Sequence, residues 1–393
     1  MNIRKIAVLP IVLLMLMAPV AFAAVANTNT DAQASGGGTA NAESEASASG
    51  SGTANADSHA VGTSGGDADS YSMAVAVGGG NAEATTYSTA TNEGQASTVA
   101  GSLAVGQGAS ASSEADASAN GDGAVANAGS LTVAVGKNAN ADAKAEADAD
   151  CNDDCVANAG SGAMALGKDT NAVAESDAKA TDSNSEADAS SIAWATREGA
   201  DAKASADSDA TKGGSARTFS WADAYDEYGT AISATTAKAN GEEAYAGSTV
   251  YTYAGEDSIA QASMNTDADA THSAYAVAEG FMTVNADPSG GSTSANVLKI
   301  AGTDSAKASA TAKVDASSYT NAGGEPAAGI VIEDADVFAT GHDSLAVETI
   351  DAYASASHHG IDEVYVDVDD YVQGVGHAGA VVYAWANGLY IIH

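Results

Sequence analysis

The segment Ser102–Gly123, SLAVGQGASASSEADASANGDG, places Ala at 109, 111, 115, 117 and 119 and sets Ser, Glu, Asp and Asn between them. Apolar residues at i, i+2 and i+4 share one side of an extended chain, whereas a helix needs them at i, i+3 and i+4. Alanine alone favours helix. The period decides against it, because Gly recurs every half unit and Thr, Ser, Asp and Val fill the alternate sites. The expected fold is all-β: repetitive, Ala-faced strands arranged as stacked hairpins, a hoop or a β-solenoid.

A face of methyl groups removes little apolar area from water, so a compact domain cored with it would be weak. What it permits is close approach. Facing sheets can lie well below the usual ~10 Å, and identical layers can stack without conflict. Stability then comes from main-chain ladders continued over many strands and many subunits, which predicts a chain built for assembly with copies of itself.

The apolar-Gly step of the segment, Val105-Gly106, recurs at Val77-Gly78, Val135-Gly136 and Leu166-Gly167. From Gly78 to Gly106, Gly136 and Gly167 the intervals are 28, 30 and 31 residues. Fainter echoes begin at Ser191, Ser220 and Ser248, and GTANAES and GTANADS at Gly38 and Gly52 lie 14 apart, half the larger interval. Each unit reads as two strands of about ten residues with two turns. The repeat region spans 24–328. Residues 329–393 form richer Val/Tyr strands, with Asn387-Gly388 as a hairpin signal.

The N-terminus, MNIRKIAVLPIVLLMLMAPVAFAA, has Arg4 and Lys5, an apolar run and Ala21-Phe22-Ala23. It reads as a signal peptide over 1–23, which predicts an extracellular chain with no membrane span after cleavage. With only 4 Pro and a formal charge of -38 in 393 residues, composition alone would suggest disorder. Strict alternation contradicts that. The charge argues against a nucleic-acid partner.

Cys151 and Cys155 share the parity of Ala145, Ala147, Ala149, Ala157 and Ala159. Asn152-Asp153-Asp154 then reads as a hairpin loop that sets the two cysteines opposite each other on antiparallel strands, within disulfide range. A bond between subunits is the alternative. No nucleophile motif, phosphate-binding loop or His-Glu-x-x-His is present, and no enzyme is expected. No metal site is expected either. Rows of carboxylates such as Asp148/Asp150 and Asp367/Asp369/Asp370 are candidate collectors of Ca²⁺ at subunit contacts, with a hydrated surface as the plainer reading.

The units at Ser72, Ser102, Ser130 and Ser161 resemble the head repeats of trimeric autotransporter adhesins, over about Ser72 to Ala174, although no heptad stalk or C-terminal anchor accompanies them. The chain as a whole, with its leader, Ala/Gly/Ser/Asp/Thr composition, Tyr-bearing strands and Cys pair, is similar to the tubular sheath proteins of filamentous methanogenic archaea. That resemblance implies an amyloid-like, self-assembling cell sheath, with the cysteine pair as a candidate cross-link. The adhesin likeness implies a surface adhesin with a β-roll head.

Overall fold

In the computed structural model the backbone is described from residue 25 to residue 387 apart from short turn segments, and side chains chiefly to residue 284. The expected signal peptide over 1–23, and the Asn387-Gly388 turn from Gly388 onward, lie outside the described residues. Among the described residues no helix is long and apolar enough to cross a membrane.

The alternating segments are strands of 10 or 11 residues, joined at corners into coils. Each strand pairs in parallel with the next strand but one. Val25 pairs with Thr53, Thr53 with Asn81, Asn81 with Ser110, Ser110 with Asn140, Asn140 with Asn171, Asn171 with Asp201 and Asp201 with Thr230. Successive coils therefore advance by 28, 28, 29, 30, 31, 30 and 29 residues. The molecule is a parallel β-solenoid with two strands per coil, forming two facing sheets. In Thr230–Ala254, Ile259–Ala286, Ala328–Ala356 and Ile361–Asn387 a single continuous element carries both strand segments of a coil, whereas Ser292–Asp304 and Ser309–Thr320 are again two strands. The same parallel pairing runs on through Ala328–Ala356 and Ile361–Asn387.

The alanines fill the space between the sheets. Ala109, Ala111, Ala115, Ala117 and Ala119 of the decisive segment are buried, as are Ala126, Ala141, Ala145 and Ala147 in neighbouring strands. One detail of the expected face is corrected, since it is not all methyl: Ser113 is also buried there. Its hydroxyl bonds across the gap to Ser130 Oγ and Thr132 Oγ1, both at 2.6 Å. Other hydroxyls reach the main chain of the opposite sheet. Ser130 Oγ donates to the Ser113 carbonyl (2.8 Å), Thr132 Oγ1 to Asp142 (2.7 Å), Ser88 Oγ to Ser97 (2.8 Å) and Ser220 Oγ to Ala204 (2.9 Å). A serine oxygen sits only two bonds from its own Cα. These bonds therefore require the two backbones to approach far more closely than the ~10 Å of ordinary stacked sheets, the close approach that an alanine face permits.

Candidate functional site

Gly78, Gly106, Gly136 and Gly167 stack at one corner, with φ of +108°, +138°, +147° and +150°. A Cβ on Gly136 would fall on the Gly106 carbonyl, 2.6 Å from its carbon, and one on Gly167 would fall on the Gly136 carbonyl at the same separation. Both the backbone angle and the space exclude a side chain. Two residues on, the left-handed position is held by Gly108, Asn138, Asp169 and Gly199, residue types that tolerate it. The turns carry the ladder onward. Gly108 N–H donates to Lys137 O (2.8 Å), Asn138 to Lys168 O (2.9 Å) and Asp169 to Glu198 O (3.0 Å).

Cys151 and Cys155 occupy the opposite corner, buried and joined within one chain at a Cα separation of 5.8 Å. The staple is present, but not as a hairpin. Strands Asn140–Asp150 and Val156–Leu166 belong to the two facing sheets and pair with strands one coil away, not with each other. The bond thus crosses a coil corner. Closing so short a loop constrains the unfolded chain little, which puts its contribution at or below the lower end of the usual ~2–4 kcal/mol.

The two outer faces are unlike, which sequence alternation alone did not disclose. On one sheet, register aligns Asp116, Glu146, Asp177 and Asp207 in a single column of like charge. A neighbouring column alternates as Asp148, Lys179, Asp209, Lys238 and Asp267. Another brings Lys144 Nζ to 3.3 Å from Glu114 and 3.4 Å from Glu146. Burial raises the Asp116 and Asp177 carboxyls above the usual range, and repulsion from Glu146, with Asp207 in the case of Asp177, adds to it. Among the described residues no group of three or more His, Cys, Asp or Glu side chains is placed to hold a metal ion.

The opposite outer face is apolar. One column runs Met73, Gly101, Leu131, Gly162, Ile192, Trp221 and Tyr251, and the next runs Val75, Leu103, Val133, Met164, Trp194, Asp223 and Tyr253. Leu131, Trp194 and Trp221 are 59%, 43% and 43% exposed. The rings of Phe219, Trp221, Tyr251 and Phe281 form a tilted chain with centroids 5.6 to 6.4 Å apart. One margin is polar. Arg217 pairs with Glu186 at 2.8 Å and stacks on Tyr245, whose hydroxyl donates to Glu279 at 3.1 Å.

Comparison with known protein families, characterised proteins and solved structures finds no match.

Asp223 is the unusual group of the apolar face. It is half-buried between Trp194 and Tyr253 in register, and among the described residues its Oδ1 has no hydrogen-bond partner. Burial alone pushes its carboxyl up to about 6. Folding raises this value above the unfolded ~3.9, so between those limits the native chain holds more protons than the unfolded chain, and stability falls as pH rises through the window. Full desolvation on that scale corresponds to roughly 3 kcal/mol, which solvent around the half-buried group reduces to on the order of 1 kcal/mol. Asp223→Asn is expected to raise the thermal midpoint at about pH 7.5 and leave it unchanged near pH 4, and the cost of ionising Asp223 makes the parent chain more stable at about pH 5 than at pH 7.5. Thermal unfolding followed by circular dichroism checks this. A parent midpoint that drops on acidification to pH 5 contradicts it.

Proposed function

We propose that this chain is a structural, self-assembling extracellular protein, the subunit of a sheath or surface layer around a cell. The observation that carries the reading is the open end of the stack. Among the described residues, strand Val25–Ser35 pairs on one side only, with Thr53–Thr63, and its inward-facing Ala26, Ala32 and Ala34 remain only partly covered. An uncovered strand edge is a template for another chain. With cleavage after Ala23, that strand opens the mature protein. The corner disulfide is in keeping with an oxidising, extracellular setting. A solenoid whose coils touch only their neighbours can be extended by further copies without any change of contact.

The test is fibre diffraction and negative-stain microscopy of the secreted chain. Tubes, hoops or sheets with a reflection at about 4.7–4.8 Å along the stacking direction are expected. A monodisperse monomer that gives no such reflection would overturn the proposal. Thin trimeric rods with globular heads would favour the adhesin reading, which the stacked two-strand coils and their repeated Gly corner also support.

A further inference from the structure

We infer that the apolar outer face is a docking surface for the same face of a second copy, with the two solenoids antiparallel, so that the aromatic ridge of each lies in the glycine trough of the other.

Four mid-strand glycines of this face carry the argument. Gly101, Gly129, Gly160 and Gly162 point outward, and none has a positive φ. A Cβ on Gly129 would meet nothing closer than 3.8 Å, and one on Gly101 nothing closer than 3.9 Å. One on Gly160 would touch Ser190 Oγ at 3.4 Å and one on Gly162 would press on the exposed Leu131 side chain at 3.2 Å, so Gly101 and Gly129 are the open pair. The fold therefore has room for side chains there and no conformational need of glycine, in contrast to the corner column. Glycine inside a strand costs stability relative to Ala and marks places where another body approaches closely. The result is a trough of about 560 Å³ with Gly129 and Gly160 on its floor, Val99 at one end and Phe219 at the other.

The ridge and the trough occupy different heights of one face. The trough runs from Val99 in Gln95–Val105 through Val125–Val135, Val156–Leu166 and Glu186–Thr196 and ends against Phe219, where the ridge of Phe219, Trp221, Tyr251 and Phe281 begins. Turning one copy end over end about a two-fold axis in the contact plane sets ridge over trough twice, as an isologous contact requires. Seven strands at ~4.8 Å spacing, with the apolar part of each covering roughly 20 Å, give about 700 Å² per copy, close to the ~800 Å² per partner of a stable interface. Charge sets the orientation of that occupant. With a net charge of -38, two copies repel unless their acidic faces point apart, which this contact achieves, and the polar margin at Arg217, Glu186 and Tyr245 resembles an interface rim.

The contact would supply the lateral association of the polymer proposed above, but its test is separate. Cys151 and Cys155 are bonded to each other, and among the described residues no cysteine is free, so an introduced thiol can be addressed alone. Chains of full length carrying Gly129→Cys are mixed with chains carrying Thr249→Cys, which lies between Phe219 and Phe281 in register, and treated with a bifunctional maleimide. Cross-linked dimers are expected from the mixture and none from Asp116→Cys chains on the acidic face. No cross-link in the mixture, when both thiols still react with a monofunctional maleimide, overturns the inference. A tryptophan emission shift on neutral phosphatidylcholine vesicles without any cross-link assigns the face to lipid and overturns it as well. Gly129→Glu, for which the fold has space, should weaken dimerisation at least roughly tenfold in sedimentation, and an unchanged association constant also defeats the inference. Gly129→Glu chains that lose the dimer yet keep the ~4.7–4.8 Å reflection would separate lateral docking from end-to-end polymerisation.

Discussion

Ala145→Leu is expected to destabilise the solenoid by about 3 kcal/mol, the upper end of what overpacking costs, or to prevent coil closure altogether. Ala145 is fully buried and lies in register between Ala115 and Ser176. The gap it faces is so narrow that Thr132 Oγ1 spans it to the Asp142 carbonyl. Three added carbons have nowhere to go without parting the sheets, and parting them breaks such cross-gap bonds in neighbouring coils. Ala117→Leu should behave alike. Glu146→Gln, one residue away but on the outer face, should fall within about 0.5 kcal/mol of the parent, because the repulsion it relieves in a like-charged column offsets the exposed ion pair to Lys144 that it removes. Urea midpoints of the three variants decide the matter. If the outward change proves the more damaging, the two faces have been exchanged.

Gly136→Ala is expected to cost more than any change on an outer face, about 3–5 kcal/mol. Its φ of +147° lies where L side chains carry a strain of roughly 1–3 kcal/mol, and the new methyl group would overlap the Gly106 carbonyl of the preceding coil. Gly123 supplies the control. It also has a positive φ, +67°, yet a Cβ there meets nothing within 4 Å, so Gly123→Ala should cost only the ~1–2 kcal/mol of a left-handed residue. Because each coil touches only its neighbours, a misfit at Gly136 should divide the stack into two blocks that unfold separately. A single unshifted transition in calorimetry would contradict both the size and the mechanism.

The parity of residues 109 to 119 carried the strands, and the Gly step from Gly78 to Gly167 carried the coil length. What parity could not supply was strand direction. A hairpin loop and a coil corner call for the same turn residues, so Asn152-Asp153-Asp154 and its flanking cysteines suited either. The intervals of 28 to 31 residues held the discriminating information, since parallel stacking pairs a residue with its counterpart one unit on, whereas a hairpin pairs it with a close neighbour. The unlike outer faces were also present in the quoted segment. Leu103 and Val105 point outward from one strand, and Glu114, Asp116 and Ser118 point outward from the next. Alternation sorts inside from outside, but only the assignment of successive strands to opposite sheets separates the two exteriors. The open mid-strand glycines carried no sequence signal of their own, because whether a Cβ fits depends on the coils above and below.

The in-register ladders have a mechanical corollary. Hydrogen bonds between coils run along the solenoid axis, while the covalent chain runs across it. Tension along the axis therefore opens coils one after another, each held only by its own ladders. Tension along the strands loads a whole rung in shear, with every bond of the ladder sharing the force. A wall made of such units would resist hoop stress and parting along the axis very differently, and the direction in which strands are laid around a cell would set how that cell can swell, divide or extend.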